Sequence, residues 1–169
     1  MTKENIVSIW EQFAAAIDMF QNALEKCPDE LWDNQEEGAY RFWYWAYHTL
    51  FWTDYYLDTE PQNFAPPESY NMSEFDPEGK MPDSVYTKEE LVKYTEHCRE
   101  KLRKLMREFD ADPAMMDREW RNDRRSYSLF EMALYNMRHV QHHTGQLNML
   151  LGQIDHDLPI WVSQTQHEM

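Results

Sequence analysis

The segment from about Tyr40 to Leu57, YRFWYWAYHTLFWTDYYL, leaves the chain few ways to fold. Nine aromatic side chains lie between Arg41 and Leu57 and point in every direction. Periodicity alone does not separate helix from strand here, and the β-propensity of Trp, Tyr and Phe pulls toward strand. Length decides, since strands seldom exceed about 10 residues. The segment is therefore expected to be a helix. A helix that is apolar all round belongs at the centre of a bundle or in an oligomer interface.

Three other segments carry helical periodicity. From about Asn5 to Cys27, the residues Ile6, Trp10, Phe13, Ile17, Phe20 and Leu24 recur at three- and four-residue steps, and Pro28 ends the run. Thr87-Lys88-Glu89-Glu90 reads as a capping box that opens a stripe of Leu91, Tyr94, Cys98, Leu102, Leu105 and Phe109, which Asp112-Pro113 closes. A second capping box, Ser128-Leu129-Phe130-Glu131, opens a helix that runs to about Leu151, with Gly152 as its C-cap.

Between the second and third helices, Asp58 to Ser84 holds five prolines and has no helical period. It reads as a long crossover loop between parallel neighbours, of the kind that often covers a site. Residues 113–125 read as a second loop, and the tail with Pro159 and Trp161 as folding back along the bundle. With no convincing strand, the expectation is an all-α four-helix bundle forming a single domain over residues 1–169.

Composition removes several function classes. Asp and Glu number 31 against 16 Lys and Arg, a formal net charge of −15 that repels phosphate backbones and anionic membranes. Four glycines leave no phosphate-cradling loop. No nucleic-acid partner is expected. The absence of a long apolar run or an apolar leader argues against a membrane partner and for a cytoplasmic protein. Cys27 and Cys98 read as reduced, inert packing thiols.

The chemistry concentrates in the histidines. His139 and His143 are four residues apart, so a helix places both imidazoles on one face, where they can share a metal. Val140 follows His139, so the general base of an HExxH metalloprotease is missing. His48 lies among Trp45, Phe51 and Trp52, where a third ligand is the functional reading and a core-edge histidine the plainer one. His142 points about 100° away from His143. It reads as a surface residue or as one that supports the ligands from outside, while His97, His156 and His167 read as solvent-facing.

An aromatic helix with a mid-helix histidine, a long crossover loop and a last helix carrying HxxxHxGQ resembles the DinB/YfiT-like family of metal-binding four-helix bundles. Here the last motif is His139-Val140-Gln141-His142-His143-Thr144-Gly145-Gln146, and the likeness spans nearly the whole chain. The resemblance implies that His48, His139 and His143 bind a divalent metal, zinc or nickel, with open positions left for ligands. It matches Gly145 and Gln146 to the GQ pair. Gly145 is expected to permit close helix packing and Gln146 to bond near the site. Some relatives use low-molecular-weight thiols in transfer or isomerase reactions. Many relatives carry Arg where this chain has Thr144, and an acidic loop near the site is expected to disfavour an anionic thiol.

Three functions compete. One is a metal-dependent transferase or hydrolase acting on a small molecule in a pocket walled by Trp45 and Trp52. The alternative is a non-catalytic metal- or small-ligand-binding stress-response protein. In the third, the histidines satisfy one another and the aromatic helix forms a dimer interface. The surplus of rings favours a homodimer through the first or second helix, unless the rings pack beneath the long loop.

Overall fold

The computed structural model describes residues 3–36, 41–154 and 158–169. Tyr40, the expected start of the aromatic helix, and His156 lie outside the described residues. The long helices are α1 (Lys3–Lys26), α3 (Phe42–Tyr56), α4 (Lys88–Ala111) and α5 (Leu129–Ile154), with α2 (Asp29–Trp32) a single short turn after Pro28. Two three-residue strands, β1 (Glu119–Arg121) and β2 (Ser126–Ser128), pair antiparallel between α4 and α5. The protein is all-α in character, as expected, with this hairpin as its one described sheet. Among the described residues, no helix is long and apolar enough to cross a membrane.

The apolar stripes assemble the bundle. All six stripe residues of α1 and all six of α4 are buried. Burying each large apolar side chain contributes about 1.5–3 kcal/mol. The Thr87 cap forms in full: its hydroxyl accepts from Glu90 N–H, and the Glu90 carboxylate accepts from Thr87 N–H. At the start of α5, Glu131 N–H donates to Ser128 Oγ at 3.1 Å.

Helices α1 and α3 each pack against both α4 and α5 and so take diagonal corners. Cross-contacts give the directions. Leu50 meets Cys98 while Asp54 meets Lys101, so α3 and α4 run parallel. Thr53 meets Asn136 while Trp45 meets His143, so α3 and α5 run antiparallel. The loop over Asp58 to Ser84 is thus a crossover between parallel neighbours, as its length suggested.

That loop also houses the surplus rings. Phe64 and Phe75 pack edge-on against Phe51 and Tyr55, and Tyr70 stacks on Tyr94 at 4.1 Å. The excess that suggested a dimer face on the first or second helix is taken up within the chain, in the alternative place named above. The tail folds back as expected. Trp10 Nε1–H donates to the His167 carbonyl, Thr165 Oγ1 donates to Asp18, and Gln12 reaches the Ser163 carbonyl.

Three local readings are corrected. Residues 113–125 are not an unstructured loop: a 3-10 turn over Pro113–Asp117 leads into β1, whose Trp120 is fully buried against Tyr55 and Tyr56. Gly152 is not a C-cap, because α5 continues to Ile154 with Leu158 packed over that glycine. Gly145 is exposed, and a Cβ built on it meets nothing within 4 Å, so no helix approaches it closely.

Candidate metal centre

His48 projects from the middle of α3, and His139 and His143 from successive turns of α5. Because the two helices are antiparallel neighbours, the three rings converge. Ring centroids are 4.6 Å apart for His139 and His143, 5.0 Å for His48 and His143, and 6.1 Å for His48 and His139. One nitrogen from each ring lies within 4.8 Å of the others. A tetrahedral cation with bonds of about 2.0–2.1 Å holds its donors roughly 3.3 Å apart, a distance small ring rotations reach from here.

Two of the rings have fixed tautomers. His48 Nδ1 lies 2.7 Å from Glu74 Oε2, and that oxygen also accepts Trp52 Nε1–H at 2.8 Å. His143 Nδ1 lies 2.6 Å from Gln146 Oε1. Both oxygens only accept, so both Nδ1 atoms carry the proton and both Nε2 lone pairs are left free. An outer hydrogen bond that fixes the tautomer of an imidazole is the usual support of a metal-ligating histidine. His139 Nδ1 is buried and has no hydrogen-bond partner among the described residues. A cation bound through that atom would relieve the cost of burying it bare. The donor set therefore fits a divalent metal.

Electrostatics favour the neutral rings that a metal needs. Burial, then the charges of His143 and His48, push His139 down to about 2. Burial, then His48, push His143 down to about 4, against a smaller opposing effect of Gln146. Burial alone would raise the Glu74 carboxyl, but the bonds and charge of His48, with Trp52 and Tyr44, hold it below its ordinary value. Glu74 is thus an ionised acceptor at neutral pH.

Glu74 sits in a 3-10 turn, Ser73–Phe75, and loop packing determines where that turn lies. Tyr47 donates its hydroxyl proton to the Asn71 carbonyl, Tyr86 Oη accepts Asn71 N–H, and Phe75 wedges between Phe51, Trp52 and Tyr55. In the sequence Glu74 is one acid among several in this loop. Nothing in its spacing marks it; the one available clue was that a buried ligand histidine calls for an acceptor.

Of the expected pocket residues, Trp45 lies 5.5 Å from His48 and 5.7 Å from His143, and it lines a small apolar groove with Gln146, Leu147 and Met149. Trp52 lies 6.4 Å from His48, and its polar edge holds Glu74. A cleft of about 560 Å³ opens beside the triad between Tyr135, Arg138, His139 and His142, and a second of about 590 Å³ lies beyond Trp52 and Glu74. His142 is exposed at the rim. His97 bonds Asp54, and His167 lies 3.5 Å from Asp18; both are away from the triad. Cys27 and Cys98 are buried free thiols. Burial raises both, Cys27 to about 12, so neither offers a thiolate.

No curated protein and no solved structure matches the chain. A family model for the DinB superfamily does match it, over residues 12–147. That span contains α3, the crossover loop and the part of α5 that carries His139 and His143. The all-α bundle and its coverage by this model lead to one assignment: the chain belongs to the DinB superfamily.

Proposed function

We propose that His48, His139 and His143 hold a divalent metal, zinc or nickel, in a metal-dependent enzyme acting on a small molecule, as a transferase or hydrolase. The observation that carries this reading is the triad itself: three converging imidazoles, two with the outer nitrogen already bonded and the inner lone pair free. When bound, the metal supplies Lewis acidity toward a ligand in its open positions. Glu74 and Gln146 orient the rings, and the adjoining cleft gives a ligand of modest size access to them. Trp45 and Trp52 wall the site against water on either side of His48.

Elemental analysis of untagged protein purified without chelator tests the reading. About one divalent metal per chain is expected in the wild type and none in a folded His139→Ala/His143→Ala variant. Wild-type protein that carries no metal and takes none up would overturn it. The expected homodimer in the cytoplasm belongs to the same proposal, now on a different face. Met149, Ile154, Ile160 and Trp161 are exposed at the end of α5 and in the tail, and apolar exposure of this kind favours a partner. A monomeric mass by light scattering at micromolar concentration would remove that part.

A further inference from the structure

The hairpin brings a cation to the edge of the triad. Asn122 shapes its turn: its carbonyl oxygen Oδ1 accepts the N–H of both Arg124 and Arg125, and its own N–H donates to the Arg125 carbonyl at 3.0 Å. Buried Trp120 anchors the strand that leads into this turn. Arg125 is thereby carried onto the wall of the second cleft, the one beyond Trp52 and Glu74. Its Nη1 donates to the hydroxyls of Tyr135 at 2.8 Å and Tyr56 at 3.3 Å, and its guanidinium lies over the Tyr135 ring at 5.1 Å. The Tyr56 ring meets the His139 ring edge-on at 5.6 Å, so one aromatic residue separates the guanidinium from the triad.

Two features single this arginine out. Its Nε–H and Nη2 have no acceptor among the described residues, so the edge of the fork that grips a carboxylate or phosphate is free while the rest is pinned. Carboxylates are abundant in this chain, and Arg99, Arg103, Arg118 and Arg121 each face one. Arg124, Arg125 and Arg138, which border the two clefts on either side of the tyrosine pair, face none among the described residues. The cleft that carries Arg124 and Arg125 is also lined by Glu74, Asp76 and Asp123. Glu74 is engaged by His48 and Trp52, Asp76 accepts the Glu78 N–H, and none of the three pairs with Arg125 among the described residues.

We propose that Arg125 is a specificity-determining residue, and that the ligand of this site is a small anion-bearing molecule whose carboxylate or phosphate docks on the free edge of Arg125 while its reacting end reaches the triad. The inference rests on the metal reading above and adds the charge of the substrate to it. Arg138, in the cleft beside His139 and His143, and Arg124, in the one beyond Trp52 and Glu74, raise the local concentration of such a ligand on either side of the tyrosine pair.

The test uses protein loaded with cobalt(II), its stoichiometry measured first. The loaded protein is titrated with butyrohydroxamate and with the monohydroxamates of succinate and glutarate, and binding is followed in the visible cobalt spectrum. At least one acid-tailed probe is expected to bind about tenfold more tightly than butyrohydroxamate. Arg125→Gln should abolish that preference while leaving cobalt content and butyrohydroxamate affinity unchanged, and Arg125→Lys should restore part of it. Equal affinities for charged and uncharged tails in the wild type, or a preference that survives Arg125→Gln, overturns the inference and leaves the metal reading standing. Protein that takes up no cobalt overturns the metal reading, and the two-point ligand with it.

Discussion

Glu74 Oε2 lies 2.7 Å from His48 Nδ1, and this bond ties the crossover loop to the one triad member that α5 does not supply. Removing the carboxylate frees the His48 ring and strips Trp52 Nε1–H of its acceptor. Glu74→Ala is expected to weaken metal binding about 10- to 100-fold, the usual effect of losing an outer partner. Glu74→Gln, which keeps an acceptor oxygen, should lose less. Competition against a chromophoric chelator measures both. Wild-type affinity in Glu74→Ala would reduce the residue to a loop anchor.

A metal that binds only the native chain stabilises it by mass action. At free metal about 100 times Kd the gain is about 2.7 kcal/mol. For a chain of this size that raises Tm by roughly 5–10 °C. Calorimetry with and without zinc should show such a shift in the wild type and none in His139→Ala/His143→Ala. An equal shift in both proteins would place the metal elsewhere.

The acid sensitivity of the fold should centre on Asp54. Its side chain is fully buried and accepts from Lys101 Nζ at 2.7 Å, Tyr94 Oη at 3.1 Å and His97 Nε2 at 3.3 Å. Burial alone would raise this carboxyl, but His97 and Lys101 outweigh it and hold it below its ordinary value. A depressed carboxyl contributes stability that is full above the unfolded pKa, about 3.9, and lost as pH falls through the folded value. Asp54→Asn should therefore cost about 1–3 kcal/mol at neutral pH, where it leaves the half-buried Lys101 with Asp58 as its remaining carboxylate partner. The gap from wild type should narrow below about pH 4. Urea titrations across pH 3–7 test this; a gap that widens toward acid contradicts the assignment.

Gly145 offers a prediction of opposite sign. It sits inside α5 with open space where a Cβ would go and no positive φ. Gly145→Ala should stabilise the protein by about 0.5–1 kcal/mol, because alanine loses less backbone entropy in a helix. Metal content should not change. A destabilised variant would mean that some packing partner is needed at that position.

Some of this structure was legible in the chain and some was not, for physical reasons. His139 and His143 are four apart on a strongly periodic helix, so one face was certain to carry both. His48 was open from its surroundings, where a core-edge histidine was the plainer reading, and only the resemblance to the DinB family named it as the third ligand. Glu74 could not be read, since its place depends on Tyr47, Tyr86 and Phe75 packing a proline-rich loop that has no period. The hairpin was hidden because three-residue strands, EWR and SYS, are too short to show alternation, and Trp120 is their only buried member of the inward face. Gly145 and Gly152 were misread because a glycine marks permission for a close approach or a helix end without showing that either is used. Arg125 was passed over as one more charge in a polar stretch; only the turn made by Asn122 gives it a direction.

The antiparallel seating of α5 against α3 also bears on how the molecule reaches its native state. His48 is separated from His139 and His143 by the crossover loop, α4 and the hairpin, so the triad exists only once the last helix has docked. A metal gripping all three rings cannot nucleate the fold. Its effect should appear in the rate of opening, with refolding from denaturant proceeding at the same pace in zinc and in chelator while escape from the native state slows in zinc.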